Sequence, residues 1–526
     1  MTSLDASAAE ITPSFSARRV VGFFFMVVGM FMAILDIQIV SSSITKIQAG
    51  LSASADEISW VQTSYLIAEV VMIPMTGWLS RVMSTRYLFA ASSAGFTIMS
   101  VMCATATSIE QMIVYRALQG FIGGAMIPAV FASAYGNVFP PERRATISML
   151  IGLVVTLAPT VGPTLGGYLT DTFSWHWLFL INIVPGIIVT AAVWLLIDLD
   201  EPNWSLLRGF DGWGIALMAV FLGTLEYVLE EAPRSGWLED NTIWWMTVVC
   251  VVSGAFFFAR VLTFEQPIVE LRAYRDRNFA IGSLLSLFLG VGLYGLTYLY
   301  PLFLAQVRQL SAVQIGEIMA VTGIFQFLSA PLAGILSQKL DVRYLIAFGF
   351  GLLGISNYML LGLTWEWDFA QFFLPQIMRG IGLMFCIVPI NTLALGTIPP
   401  EQLKNASGLY NLMRNLGGAL GLAIINTVLI QRLDFHKSTL RESISAGRPV
   451  VEQTMAGLGE MIARTPGIEE GHLAAVKTIY GLMLREATVM AFADAFFVLT
   501  ICFFAMLLTL PVVNKPEPIA ASADAH

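Results

Sequence analysis

The sequence predicts an all-α membrane protein of 14 transmembrane helices, arranged as two pseudo-symmetric six-helix bundles with two further helices inserted between them. Three observations lead to this fold. Of the 526 residues, 56% are hydrophobic and 12% are charged, about half the charged fraction of a soluble domain. Apolar runs of about 20 residues, long enough to cross a bilayer as a helix, recur along the chain. Two segments of the first half also recur in the second half.

The apolar runs are bounded by charged or turn-forming residues. Because they follow one another from end to end, no large soluble domain is expected. The 14 predicted spans are, in order, 20–44, 58–79, 87–105, 109–133, 145–168, 177–197, 212–230, 241–262, 279–304, 312–337, 344–363, 371–395, 406–430 and 487–511.

The placement of basic residues predicts the orientation, because short cytoplasmic loops are enriched in lysine and arginine. With the N-terminus inside, the short outer loops hold only Lys46, Arg234 and Arg308. Both termini are therefore expected in the cytoplasm. The long outer loop 431–486 also carries basic residues, but long loops translocate regardless of charge. The cytoplasmic set is Arg18, Arg19, Arg81, Arg86, Arg143, Arg144, Arg208, Arg260, Arg272, Arg275, Arg277, Lys339, Arg343, Lys404 and Lys515.

The start of the chain is polar, and no small-residue cleavage site follows its first apolar run, so span 1 is expected to be retained. The predicted parts are a cytoplasmic N-terminal tail (1–19), the first bundle with spans 1–6 (20–197), a linker with inserted spans 7 and 8 (198–277), the second bundle with spans 9–14 (278–511), which includes the periplasmic loop 431–486, and a cytoplasmic tail (512–526).

An internal repeat relates the two bundles. The segment "PMTGWLSRVMSTRYL" (74–88) aligns with "PLAGILSQKLDVRYL" (331–345), and "FPPERRA" (139–145) aligns with "IPPEQLK" (398–404) at nearly the same spacing. Parallel halves around a site near the membrane midplane are the architecture of rocking transporters.

The composition also excludes several classes of function. None of the six lysines follows a glycine, so the chain has no nucleotide-binding P-loop. The four histidines are not clustered, and the four cysteines all fall inside apolar runs. An ATP-driven pump, an enzyme and a metal site are therefore not expected, and no cofactor is predicted.

Four motifs point to one family. They are "LDIQIVS" (35–41) in span 1, "GWLSRVMSTR" (77–86) after span 2, "RALQGFIGGAMIP" (116–128) in span 4 and "APTVGPTLGG" (158–167) in span 5. With them the chain resembles the Major Facilitator Superfamily, specifically its fourteen-span drug/proton antiporters of the EmrB/QacA type, and most of all the EmrB-type multidrug exporters. The motif after span 2 departs from the family pattern, because Arg81 replaces an acidic residue and Ser84 a glycine.

The resemblance implies which residues take part in the conformational change of the transporter. In the span-5 motif the two prolines each remove a helix hydrogen bond, while the glycines allow close helix approach. Plain close packing would need the same residues. The conformational residues are Pro159, Gly162, Pro163, Gly166 and Gly167 in span 5, with Gly77 and Arg86 after span 2.

Ionisable residues inside the membrane are candidates for function. Asp36 lies roughly 12 Å from the outer end of span 1, Glu69 roughly 16 Å from that of span 2, and Arg116 roughly 10 Å into span 4. Burial and a nearby guanidinium act in opposite directions on the protonation of a carboxylate, so such a group can exchange protons near neutral pH. We expect Asp36 and Glu69 to bind protons and cationic substrate, with Arg116 tuning them. The alternatives are a packing role for Asp36 and a bond from Arg116 to backbone carbonyls.

Several polar residues are candidates for the cavity or for coupling. Gln62 and Tyr65 share a helix face with Glu69, and the repeat places Gln326 at the position equivalent to Glu69. Arg379 and Arg414 do not align with Arg116, and Glu230 and Glu231 are expected at the membrane interface. The full candidate set is Gln62, Tyr65, Gln119, Gln326, Tyr410, Asn411, Arg414, Glu226 and Asp494.

The resemblance implies proton-driven export of amphipathic small molecules across the bacterial inner membrane by alternating access, and hence antibiotic resistance. It also implies a periplasmic adaptor of the membrane-fusion, EmrA-like type and an outer-membrane channel as partners, with 431–486 facing the adaptor. No nucleic acid or nucleotide is implied. A dedicated exporter of one endogenous metabolite or siderophore, or a proton symporter, would use the same fold, and 431–486 could instead lie on the membrane surface as a lid.

Overall fold

A computed structural model describes residues 17–136, 138–139, 143–264, 266–444, 448–463 and 471–513. Residues 1–16 and 514–526, which make up most of the two predicted tails and include Lys515, lie outside the described residues.

Within the described residues, fourteen helical segments are long and apolar enough to cross a membrane, as the sequence predicts. Spans 1–14 are formed by Ala17–Ser42, Ala55–Met83, Thr85–Ala104, Ile109–Gly123 with Met126–Tyr135, Arg144–Thr172, Trp177–Leu180 with Ile183–Leu196, Gly212–Glu231, Asn241–Thr263, Arg277–Gln306, Ala312–Lys339, Val342–Met359, Phe369–Leu395, Leu403–Ser443 and Gly471–Leu507. Short helices between and after them are Ile44–Leu51, Trp204–Gly209, Trp237–Glu239, Leu271–Arg275, Leu360–Gly362, Pro449–Ala463 and Leu510–Val512.

Polar caps fix where several spans begin. Ser54 and Glu57 form a reciprocal capping box at the start of span 2, and Ser311 with Gln314 forms the same motif at the start of span 10. Each box satisfies backbone N–H groups that the first turn of a helix leaves unpaired. The two boxes stand at equivalent positions of the repeat, so the pseudo-symmetry extends to the helix ends.

The two bundles repeat the same helix pairs. Span 1 packs on span 5 as span 9 packs on span 13, and span 2 packs on span 4 as span 10 packs on span 12. The bundles meet through two equivalent contacts, span 5 against span 10 and span 13 against span 2. Inserted span 7 packs on span 8, span 2 and span 13.

At one end of the molecule the bundles touch through their backbones. A Cβ atom added at Gly77 would lie 2.7 Å from the Cα atom of Asn405 and 2.9 Å from the carbonyl oxygen of Lys404. Gly408 likewise lies against the backbone of Ile73. We call this end, which is the predicted cytoplasmic end, the closed end.

Ion pairs also form at the closed end. Arg81 binds Glu270 at 2.9 Å, so the residue that departs from the family motif makes its own ion pair. The cation of Lys404 pairs with Asp200. Arg86, by contrast, lies over the ring of Trp194 at 5.3 Å, within the first bundle.

The helices of spans 13 and 14 continue into the segment 431–486. Span 13 runs on to Ser443, span 14 begins at Gly471, and the helix Pro449–Ala463 packs against span 14. Because 431–486 is rich in charged and polar residues, the parts of these two helices that lie in it are too polar to cross a bilayer.

Gly77 predicts a test of the closed end. Gly77→Ala places a methyl group against immobile backbone, and overpacking of this kind costs about 1–3 kcal/mol. We expect the closed end to open more often, by roughly 5- to 100-fold in population. Double electron–electron resonance measures this opening as the distance between spin labels at the exposed positions Glu201 and Glu401, in a protein whose four native cysteines are replaced.

Gly351→Ala is the matched control, because a Cβ atom there meets nothing within 4 Å. Equal distance distributions in the Gly77→Ala and Gly351→Ala proteins would show that the glycine contact does not hold the closed end.

Candidate functional site

A cavity of about 650 Å³ lies between the bundles, away from the closed end. Its wall is built by spans 1, 2, 5, 7, 9, 10 and 13. Its lining includes Ser41, Ser59, Arg234 and Ala305, which stand at the ends of spans 1 and 9, near the start of span 2 and just after span 7. The cavity therefore opens toward the end opposite the closed end. Its volume suits a drug-sized molecule.

Four charged side chains line the described wall of the cavity. Glu69 comes from span 2, Glu226 and Glu230 come from span 7, and Arg234 follows span 7. Only 2% of Glu69 and 6% of Glu226 is exposed. Among the described residues, neither carboxylate has a hydrogen-bond or ion-pair partner. A buried carboxylate without a partner costs several kcal/mol unless a proton or cation neutralises it, so both are available to a ligand.

Tyrosines and amides add hydrogen-bonding groups to a largely apolar wall. Tyr294 donates to the Oδ1 atom of Asn415 at 3.4 Å, and Tyr298 donates to that of Asn426 at 2.9 Å. All four residues line the cavity between spans 9 and 13. Asn426 and the two tyrosines are not among the candidates predicted from the sequence. Their positions as polar residues inside predicted membrane spans could have indicated a place on the cavity wall.

Asp36 and Arg116 lie in a separate polar network, fully buried behind the cavity wall. The Nη1 atom of Arg116 binds the Oδ2 atom of Asp36 at 2.5 Å and the Oε1 atom of Gln119 at 2.7 Å. Asn182 donates to the Oδ1 atom of Asp36 at 2.7 Å, and Gln119 donates to the hydroxyl of Ser100 at 2.8 Å. The network is formed by spans 1, 3, 4 and 6.

Arg116 also joins this network to span 2. Its Nε atom donates to the carbonyl oxygen of Val61 at 3.2 Å, and its guanidinium lies 4.3 Å from the ring centroid of Tyr65. Of the predicted face of span 2, Gln62 and Glu69 line the cavity, whereas Tyr65 is packed beneath the arginine. The structure thus pairs Asp36 with Arg116 and places Glu69 one helix turn from Tyr65, on the cavity side.

The second bundle holds a related network without a carboxylate. Arg379 is 1% exposed, and its guanidinium donates to the hydroxyl of Thr297 at 3.0 Å and to Gln376 at 3.4 Å. The order of arginine and glutamine is reversed between the halves, which is why Arg379 does not align with Arg116. Gln326, at the position of Glu69, is buried, and its Oε1 atom has no partner in the described residues.

The candidates on span 13 are buried and do not line the described cavity wall, which begins on this helix at Asn415. Arg414 bonds to Asn411, and its guanidinium lies 5.0 Å from the ring of Phe131 in span 4. Tyr410 donates to Asn391 at 2.6 Å. Arg414 and Arg116 are the two guanidinium groups that interact electrostatically with Glu69.

Asp494 does not lie at the cavity. Its Oδ2 atom accepts from the Nε atom of Arg432 at 2.5 Å and is 2.7 Å from the Nε2 atom of His436. The prediction of a cavity role for Asp494 is therefore not supported by its position, because this carboxylate joins the extended helices of spans 13 and 14. Glu230, expected at the membrane interface, stands at the end of span 7 and also lines the cavity.

The span-5 motif forms part of the cavity wall and also makes a close contact with span 1. Pro163 and Gly167 line the cavity, while Pro159 and Gly166 are buried. A Cβ atom at Gly162 would lie 2.5 Å from the Cβ atom of Gln38 in span 1, so only glycine permits this close approach.

Two pseudo-symmetric helical bundles around a cavity that is open at one end and closed at the other define a membrane transporter. The family model of the Major Facilitator Superfamily matches residues 26–422, and the chain belongs to this superfamily. The protein is therefore a multi-pass transporter of the bacterial inner membrane, not an enzyme.

Related proteins cover almost the whole chain. The colistin resistance protein EmrB of Acinetobacter baumannii is 40% identical over 481 residues, which span 90% of this chain and 94% of that protein. The multidrug export protein EmrB of Escherichia coli K12 is 31% identical over 488 residues, covering 92% and 93%. The crystal structure of the human organic anion transporter MFSD10 matches with a TM-score of 0.55 at 13% identity over 93% of this chain and 100% of that one, which is a likeness of fold alone.

The buried pair predicts a stability effect. Arg116→Leu leaves Asp36 charged and uncompensated, and breaking a buried pair from one side costs about 3–5 kcal/mol. The double variant Asp36→Leu, Arg116→Leu is expected to recover part of this loss. Denaturant unfolding in micelles measures the free energy of unfolding.

The control for this experiment is Lys46→Leu, which breaks a solvent-exposed pair with Asp171 whose side chains are 58% and 63% exposed. Exposed pairs contribute at most about 1 kcal/mol. A loss in Arg116→Leu no larger than that of the control would contradict a stabilising role for the buried pair.

Proposed function

We propose that the protein exports amphipathic small molecules by proton-driven antiport with alternating access. The observation that carries the proposal is Glu69, a buried carboxylate without a described partner on the wall of the cavity between the bundles. The names of the relatives, a multidrug export protein and a colistin resistance protein, favour export of drug-like substrates.

Glu69 is the proposed proton carrier. It lines the cavity, which opens toward the predicted periplasmic end, whereas Asp36 is enclosed by three hydrogen-bond donors and does not line the described cavity wall. In the outward-open state, substrate leaves and a proton binds Glu69. When the bundles rock, the proton is released to the cytoplasm and the ionised carboxylate can bind the next cationic or dipolar substrate.

Asp36 and Arg116 take a positioning role in this scheme. Arg116 fixes Asp36 through one atom and holds span 2 through Val61 and Tyr65. Because Tyr65 is one helix turn from Glu69, its contact with Arg116 fixes the part of span 2 that carries the proposed proton carrier. This replaces the sequence-based expectation that Asp36 and Glu69 bind protons together.

A periplasmic adaptor and an outer-membrane channel complete the proposed efflux pump. The helix Pro449–Ala463 and the extensions of spans 13 and 14 provide the contact surface. Val450 is 73% exposed and Met461 62% exposed on this helix. Apolar side chains exposed beyond a membrane span are typical of a surface that binds another protein.

Glu69 gives the main functional prediction. Glu69→Gln removes the titratable group but keeps shape and polarity, so we expect uphill, proton-driven efflux to fall at least 100-fold, while gradient-independent exchange of an uncharged substrate, which does not need the carboxylate charge, persists. Glu69→Asp should retain part of the uphill transport. Dye efflux from a pump-deficient host and exchange in proteoliposomes provide the two readouts.

Glu317→Gln is the control, because it removes a carboxylate from an exposed position of span 10 that does not line the described cavity. Uphill efflux by Glu69→Gln at the level of Glu317→Gln would overturn the assignment of Glu69 as proton carrier.

A further inference from the structure

A groove on the outer surface of the first bundle has no role in the proposed transport cycle. Its volume is about 520 Å³, and it lies between spans 3 and 6. The small residues Ala94, Gly186 and Ala191 are part of its lining. Ile98 and Ile187 also line it and are 57% and 60% exposed. Because exposed apolar residues in the middle of a span face lipid, the groove opens toward the membrane.

The hydroxyl groups along the groove are already bound within the protein. Thr97 donates to the carbonyl oxygen of Ser93 at 2.8 Å, and Thr190 donates to that of Gly186 at 2.7 Å. The other lining residues are alanine, glycine, isoleucine, leucine and tryptophan. A ligand in the groove therefore meets an apolar surface, which suits a hydrocarbon chain.

The groove covers the depth of one membrane leaflet. On span 6 it runs from Gly186 to Leu195, and the last residue of this helix is Leu196. Gly186 is ten residues from that end, or about 15 Å at the helical rise, which is half of a hydrocarbon core of about 30 Å. After span 6 the chain continues to Asp200, which pairs with Lys404 at the closed end. The groove therefore runs from the middle of the membrane to the predicted cytoplasmic end.

Two guanidinium groups stand at the cytoplasmic end of the groove. Arg18 of span 1 donates to the carbonyl oxygen of Leu195, and the guanidinium of Arg86 in span 3 lies 5.3 Å from the ring centroid of Trp194. Among the described residues neither arginine has an ion-pair partner, and the buried Nε atom of Arg86 has no hydrogen-bond partner. The rings of Tyr87 and Trp194 meet edge to face at 5.2 Å, and such aromatic residues are typical of the membrane interface.

We propose that this groove binds one anionic phospholipid of the cytoplasmic leaflet, with an acyl chain along the groove and the phosphate on Arg18 and Arg86. The planar fork of arginine donors matches phosphate oxygens, and anionic lipids are abundant in the cytoplasmic leaflet. The site goes beyond the proposed function, because it lies outside the cavity between the bundles. Its residues come from spans 1, 3 and 6, so the bound lipid ties three helices of the first bundle together.

The charge of the headgroup decides which lipid the site prefers. Phosphatidylglycerol carries a net negative charge, and its phosphate can pair with both arginines. Phosphatidylethanolamine carries an ammonium group beside its phosphate, which the two guanidinium groups repel. When the acyl chains are the same, the groove contributes equally to the binding of both lipids. The preference between the lipids therefore reports on the arginines, and the affinity that they share reports on the groove.

Native mass spectrometry of the full chain in detergent tests the arginines. Titration with phosphatidylglycerol or phosphatidylethanolamine of identical acyl chains measures the affinity for the first bound lipid. We expect the wild type to prefer phosphatidylglycerol, and the double variant Arg18→Gln, Arg86→Gln to bind it about 10- to 100-fold more weakly, the effect of one charge-assisted hydrogen bond. Binding of phosphatidylethanolamine should change less than about threefold, which also shows that the variant is folded.

The double variant Arg272→Gln, Arg275→Gln is the matched control for the loss of two positive charges. Both arginines are exposed in the segment before span 9, at the same end of the molecule, and do not line the groove. This variant should keep both lipid affinities. Equal affinities of the wild type for the two lipids, or equal losses in the two double variants, would overturn the proposal.

Ala191→Phe tests the groove, because the added ring occupies the space of the acyl chain. We expect it to weaken binding of both lipids about 5- to 100-fold, the range for an overpacked contact. Ala91→Phe is the control, at an exposed position of span 3 that does not line the groove. The same lipid affinities in these two variants would contradict the site.

Two further outcomes separate the lipid from other occupants of the groove. Glycerol phosphate carries the phosphate without acyl chains, so at equal concentration it should leave bound phosphatidylglycerol in place. Displacement of the lipid would show a phosphate site that does not use the groove, and would refute lipid binding there. A wild-type dimer that Ala191→Phe abolishes would assign the groove to a second copy of the chain, which also refutes the proposal.

Discussion

The buried ion pair between Asp36 and Arg116 is the interaction on which the first bundle depends. A single charge at the centre of a membrane helix is costly, and this pair offsets the cost by bringing charge and hydrogen bonds together at 2.5 Å. The side-chain amides of Gln119 and Asn182 donate further hydrogen bonds to the carboxylate of Asp36, and the carbonyl oxygen of Val61 accepts one from the guanidinium of Arg116. Five of the six spans of the bundle thereby share one polar network, which fixes their relative rotations.

The second bundle reaches a similar packing with less charge. Arg379 donates to the hydroxyl of Thr297 in span 9 and to Gln376, so its hydrogen bonds within the described residues go to neutral oxygens and not to a carboxylate. Gln326 likewise replaces Glu69 with a group that cannot titrate at physiological pH. The described cavity wall therefore carries polar groups from both halves, but its carboxylates come from the first half and from inserted span 7. In the first bundle the buried charges of Asp36 and Arg116 are paired, whereas Glu69 and Glu226 on the cavity wall have no ion-pair partner among the described residues.

The fourteen spans and the repeat could be predicted because both are local properties of the chain. Apolar run length and aligned prolines and glycines need no knowledge of how helices rotate. The site is different, because a residue faces the cavity or the bundle interior according to helix rotation and the neighbours it meets. Asp36 and Gln38 are two residues apart in span 1, yet only Gln38 lines the described cavity wall.

Partners distant in sequence were also beyond sequence reasoning. Arg81 breaks the family motif, and its partner Glu270 lies in the segment before span 9. The sequence alone does not distinguish Asp494 from a cavity carboxylate. The structure does, because it places Arg432 and His436 beside it. Asn182 was a readable signal, since a lone amide in an apolar span needs a partner, but its partner Asp36 could not be identified without the fold.

The unpaired carboxylates supply a physical reason for coupling in the proposed cycle. At the open end, Glu69, Glu226 and Glu230 have access to water through the cavity mouth. Closing that end would remove the water, and each carboxylate left ionised and unpaired would cost several kcal/mol. The bundles can therefore rock inward only when protons or a cationic ligand have neutralised the wall. The closed end holds two ion pairs, Arg81 with Glu270 and Lys404 with Asp200, so these four charges carry no such penalty when this end is closed. This difference between the two ends makes the conformational step depend on what occupies the cavity.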